Sequence, residues 1–290
     1  MRLCVSALKN DLRVNLLCAL SGGLVVFLLF CGGCATLPAT RPLAELQQQQ
    51  AVVLFREAMV RQQECACCLD AQVRLSLKSV LQNGTISGFV QAKAPAFLKF
   101  TGLNPLGQPM MILVADGTFF RYVAVPEGKG YDGLVTAAAF KKYAPQGFDP
   151  AHGFYWLAGR LAPEKLRIFS AAQDQEGQGL WLELAYATES LGGKALRRHV
   201  LFDPARQVIR RHLVADPDGR IMVDVHYDDY VQVPEGGSGN CRLPGLIKIH
   251  ANHNGALMEL TLADWLPDAS FSAEDFRVDL PLGFQLVPVE

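Results

Sequence analysis

From residue 70 onward the chain alternates between apolar and polar positions. In VRLSLKSV (73–80), Val73, Leu75 and Leu77 are separated by Arg74, Ser76 and Lys78, and IKIHA (247–251) and LMELTLADW (257–265) keep the same period. A period of two places successive side chains on opposite faces, so these segments predict half-buried strands. Asn83-Gly84, Asp116-Gly117, Asp218-Gly219 and Asn254-Gly255 lie between such runs and offer the positive φ that tight hairpins need. Four successive hairpins in about ten to eleven strands predict an antiparallel meander too wide to stay flat. The expected fold class is mainly β with a few helices: a strongly curled antiparallel sheet, an unclosed half-barrel, under a helical lid.

Three segments break the period. LAELQQQQAVVLFREAMVRQQ (43–63) predicts a helix with Leu43, Leu46, Val53, Phe55 and Met59 toward one side and the glutamines, Arg56, Glu57 and Arg61 in water. VTAAAFKKYAP (135–145) and GFYWLAGR (153–160) predict two more helices, covering one open face of the sheet. Three strands, MMILV (110–114), FFRYVAV (119–125) and LWLELAYA (180–187), are apolar on both sides. They are either ordinary core or the wall of a lipid-binding hollow, with Met110, Met111 and Phe119 as candidate wall residues.

The N-terminus has a different character. Residues 1–15 carry Arg2, Lys9 and Arg13 against Asp11, and residues 16–30 hold no charge. A basic start followed by an apolar run shorter than the ~20 residues of a spanning helix is a secretory layout. In Cys31-Gly32-Gly33-Cys34, two glycines precede a cysteine, which predicts cleavage after Gly33 and a diacylglyceryl group on Cys34. Two or three acyl chains, at ~0.8 kcal/mol per buried CH₂, hold a protein stably on a bilayer. Ala35 stands where an Asp would resemble an inner-membrane retention signal, so the expected location is the outer membrane of a Gram-negative bacterium, facing the periplasm. The chain thus divides into a signal peptide (1–33), a tether (34–42) and a single domain (43–290).

Charge and motifs narrow the function. Lys and Arg number 27 against 28 Asp and Glu, so no basic surplus argues for nucleic acid. G-x-S-x-G, HExxH and phosphate-loop patterns are missing, and the acidic pairs form no acid/base constellation, so an enzyme is not expected and no cofactor is implied. His250 and His253 would fall on opposite faces of a strand, which disfavours metal binding. Cys65, Cys67, Cys68 and Cys241 are the candidate disulfide cysteines of an exported chain. They allow three pairings, and bonding adjacent Cys67 and Cys68 would strain the geometry, so Cys241 is expected to reach back to one of the three. C-x-C-C with one distant cysteine is not the two-knuckle pattern of a zinc site.

In FTGLNPLGQPMMILVADGTFF (100–120), apolar Leu103 and Leu106 occur within a Gly/Pro/Asn loop, where polar residues are usual. The order of features resembles the LolB-like branch of the LolA/LolB-like family, outer-membrane receptors of the lipoprotein-localisation system. These features are a lipobox, a Gln-rich helix, a strand, the NPLG loop, an apolar strand, GFYWLAGRL (153–161) and LPGLIKIHANHNGALMELTLADW (243–265). The resemblance spans roughly residues 34–265. It implies an unclosed barrel with a helical lid over a cavity for lipoprotein acyl chains. It also implies a cargo-delivering leucine at Leu106, framed by Asn104, Pro105 and Gly107, and a lid aromatic pair at Tyr155 and Trp156. The implied partners are membrane lipid, acyl chains and a periplasmic lipoprotein carrier, with the protein a monomer. CACC (65–68), the long loop near 234–242 and the tail after Trp265 depart from the family, and a non-catalytic accessory lipoprotein binding a protein partner is the alternative.

Overall fold

Alternation produces strands throughout because each has at least one face to bury. The computed structural model describes residues 37–65, 67–78, 83–136, 149–187, 190–191, 194–233, 241–251, 256–266 and 269–289. The expected signal peptide, Cys34, nearly all of the helix expected at 135–145, His253 and the Asn254-Gly255 turn lie outside the described residues.

The first half of the chain contains β1 (Thr40–Pro42), α1 (Glu45–Gln63), β2 (Cys68–Lys78), β3 (Asn83–Lys93), β4 (Phe97–Leu103), β5 (Pro109–Asp116), β6 (Phe119–Ala124) and β7 (Lys129–Leu134). There follow α2 (Gly153–Ala158), β8 (Leu166–Asp174), β9 (Leu180–Tyr186), β10 (Ser190–Leu191), β11 (Lys194–Ala195), β12 (Arg197–Asp203), β13 (Val208–Ala215) and β14 (Ile221–Asp228). The last are β15 (Val231–Gln232), β16 (Arg242–Leu243), β17 (Leu246–Ala251), β18 (Ala256–Ala263) and β19 (Gln285–Val289).

Among the described residues, fifteen strands form one sheet in the order β1-β8-β9-β12-β13-β14-β17-β18-β2-β3-β4-β5-β6-β7-β19, and β10/β11 and β15/β16 are separate two-stranded ladders. Every pairing among the described residues is antiparallel except β19 on β7, which is parallel. The sheet is open, with β1 and β19 at its edges. Its width exceeds the ten to eleven strands read from alternation, in part because these edge strands are short and carry Pro42 and Pro288. Two turns form where expected: Asp116 Oδ1 accepts from the Thr118 and Phe119 amides, and Asp216 Oδ1 from those of Asp218 and Arg220. Asn83 and Gly84 already pair with Lys78 and Leu77, so they begin β3 rather than form the turn.

A packing distance shows that the sheet curls. The six-residue helix α2, about 9 Å long, touches β4 at one side, and its Trp156 stacks on His212 of β13 at 4.5 Å on the other. Those strands are six steps apart in the sheet, about 29 Å if it were flat. The inward face therefore wraps around the helices. α1 buries Ala51, Phe55 and Ala58 there, with Phe55 edge-on to Phe202 at 5.3 Å. Small residues one heptad apart let the helix backbone settle close to the sheet. That is why Leu46 and Val53, expected on the inner side, are instead 67% and 53% exposed.

The tail after Trp265 covers the convex face of β3–β7. Phe276 packs on Phe97 and Phe271, Lys93 Nζ donates to the Phe271 carbonyl (2.6 Å), and Arg121 Nη1 donates to that of Val278 (2.8 Å). Gly130, lacking a side chain, leaves the space that Leu280 fills. β5 and β6 are apolar on both sides because a core lies on one and this strap on the other. β9 has the same property for a different reason: Leu182, Leu184 and Tyr186 face inward, while Trp181 joins Leu201, Leu213 and Ile221 on the outer side.

Candidate functional site

The β4–β5 connection, Asn104–Gln108, is a turn held by its own polar atoms. Asn104 Oδ1 accepts from the amides of Leu106 (2.9 Å) and Gln108 (3.0 Å), the Gly107 amide bonds the Asn104 carbonyl (2.9 Å), and the Asn104 amide bonds that of Gln108 (2.9 Å). Gly107 adopts φ +76°, which its lack of a Cβ permits, and Pro105 sets the preceding φ. The result is a closed loop that holds Leu106 out at 83% exposure. Leu103, the last residue of β4, is half-buried.

Connections in an antiparallel sheet alternate between two rims. The Leu106 loop shares its rim with the β13–β14 turn, whereas the β12–β13 and β8–β9 turns and the start of β1 lie on the opposite one. α1 runs toward that opposite rim, where Gln62 Nε2 donates to the Gln207 carbonyl (2.7 Å) and Cys65 forms a disulfide with Cys241. Inward residues there, such as Leu69, Ala71, Val73 and Ala92, are buried. Toward the Leu106 rim, Leu75, Ile86, Met111, Leu113, Ile249 and Leu260 of the same face are covered only in part. Pairing makes these positions contiguous, since Leu75 lies opposite both Ile86 and Leu260, and Gly102 lies between Gly88 and Met111.

Of the candidate wall residues, the structure brings Met111 to this surface. Met110 sits at the bulge where Leu103 pairs with Pro109 and is 37% exposed, and Phe119 is on the convex face at 58%. Both are placed away from the concavity because alternation and the bulge, not hydrophobicity, decide direction. Tyr155 is half-buried and Trp156 is buried. Trp156 is therefore pinned onto the sheet rather than lining an opening.

Beneath Trp156 lies a polar pair that sequence reading missed. Arg198 and His212, on β12 and β13, project into the concave core, where Arg198 Nη1 donates to His212 Nε2 (2.8 Å) and its guanidinium lies over the rings of Trp156 and Tyr186. Burial, then Arg198 and His152, hold the His212 imidazole well below its ordinary pKa, so it stays neutral and accepts. The unfolded chain protonates this histidine near pH 6.5, whereas the folded one does not. Stability should accordingly fall as pH drops below about 6.5, by up to about 1.4 kcal/mol per unit from this group. Urea unfolding at pH 7.5 and 5.5 should show that loss, reduced in His212→Gln, whose amide oxygen can still accept from Arg198. His199, also held low by burial, leaves a smaller residual slope.

Cys67 is exposed, Cys68 is buried, and their sulfurs are 3.4 Å apart without a bond. Burial raises the Cys68 thiol above its ordinary pKa. Among the described residues, no cluster of three or more His, Cys, Asp or Glu could hold a metal ion.

The sequence matches no family model and no curated protein. The structure does have relatives. A LolA superfamily protein from Nitrosomonas europaea superposes with a TM-score of 0.53 at 9% identity, covering 77% of this chain and 97% of that one. A domain described as an outer membrane lipoprotein-sorting protein, from Vibrio parahaemolyticus, gives 0.54 at 12%, covering 79% and 96%. A DUF1329 family protein from Desulfovibrio piger gives 0.55 at 9%, covering 78% and 97%. The fold is LolA-like. At these identities the likeness extends to the fold and no further, and none of it distinguishes a LolB-like branch.

Proposed function

We propose that this protein is a lipid-anchored envelope lipoprotein that binds acyl chains of lipoproteins or lipids on its concave face and acts in lipoprotein sorting or insertion at the outer membrane. One observation carries the reading: the half-covered apolar positions from Leu75 to Leu113 lie toward the rim where the Asn104 loop holds Leu106 in water. Removing apolar area from water at ~25 cal/mol per Å² supplies affinity without a reacting group. The LolA-like fold and the Cys34 lipobox support an envelope location. Cargo would arrive from a soluble carrier and leave through the Leu106 rim.

Titrating the purified protein with a fluorescent fatty acid tests this. Saturable binding is expected, weakened at least about tenfold by Leu113→Glu, which places a charge on the apolar surface. Absence of saturable binding would leave the concave face a filled core and favour the accessory role.

A further inference from the structure

Strand β1 is only three residues long, all exposed, and Pro42 has no amide to donate. It pairs with β8 through Thr40–Asp174, Arg41–Gln173 and Pro42–Ala172, and its start lies on the rim opposite Leu106. An edge element this short and solvated belongs to the least stable part of a fold.

Its position sets the reach of the anchor. Leu37 follows Cys34 by three positions, at most about 10 Å of chain. The rims are further apart: the seven residues of β4 alone span about 23 Å. While β1 is seated, that length of chain cannot carry an anchored Cys34 from the rim where β1 starts to the Leu106 rim. With β1 released, the nine positions from Cys34 to Leu43, which packs against the core, reach about 31 Å, enough for the Leu106 rim to turn to the same bilayer.

We propose that β1 is a releasable clip: seated, it presents the Leu106 rim to the periplasm for loading, and released, it lets that rim contact the anchoring membrane. This rests on the proposed lipid anchor and on Leu106 as a membrane contact. Seating and release change only how long the free tether is, so the concave surface is the same in both positions.

The test uses the full lipidated protein in vesicles, with Cys67→Ser and Cys68→Ser removing the free thiols. Arg41→Cys with Gln173→Cys locks the clip, since directly opposed strand residues lie within disulfide range. A fluorophore at position 108 reports bilayer contact by energy transfer to labelled lipid. Contact should fall at least about tenfold in the locked form and return on mild reduction that spares Cys65–Cys241. It should also return when twelve Gly/Ser residues are inserted between Cys34 and Leu37 of the locked form. Equal contact in locked and reduced forms, or no rescue by the insertion, would overturn the clip. No contact in any arm would instead remove Leu106 as a membrane contact, and the clip with it.

Discussion

Leu106→Glu should leave fatty-acid binding unchanged and lower transfer of bound acyl cargo to vesicles by at least about tenfold. The side chain is exposed and makes no contribution to the loop's hydrogen bonds, which run through Asn104, Gly107, Gln108 and the Leu106 amide. The folded state should therefore tolerate the change. Burying a leucine in an apolar phase is worth about 1.5–3 kcal/mol, roughly 10- to 100-fold, and a carboxylate reverses the sign of that term. Leu106→Met should keep most of the transfer rate. Wild-type transfer by the Glu variant would mean that the loop takes no part in delivery.

Loss of the Cys65–Cys241 bond should cost about 3–5 kcal/mol of stability. The bond joins residues 176 positions apart, and a closed loop of that size removes much entropy from the unfolded chain. Cys241 is buried, so serine there also carries a hydroxyl into an apolar site. Denaturant unfolding of Cys65→Ser should show the loss through a lower midpoint. The local effect falls on α1, whose last turn keeps the Arg61 and Gln62 bonds to Gln207, so amide exchange in residues 58–64 should accelerate more than elsewhere. A variant within 1 kcal/mol of wild type would show that those contacts hold the helix unaided.

Much of this molecule follows from neighbouring residues. The period of two specifies strands because adjacent side chains must face opposite ways, and Asp116-Gly117 and Asp218-Gly219 specify hairpins because aspartate and glycine satisfy a tight turn locally. The NPLG loop is legible for the same reason: asparagine, proline and glycine within four residues supply the bonds and the positive φ, leaving Leu106 no inward route. Other features depend on distant partners. Arg198 and His212 read as ordinary polar positions until curling brings both under Trp156. Phe119 reads as a cavity wall until register turns it to the convex face.

The sequence alone determined the mainly β character, the turns that hold the Leu106 loop and the four cysteines available for bonding. Tertiary structure decided which cysteines pair, which side of α1 is buried, what covers the doubly apolar strands and which rim carries the half-covered apolar positions. The physical reason is range: dihedral preference, alternation and capping act over two to five residues. Curl, register across fifteen strands and the seating of a tail are set by packing between segments far apart in the chain.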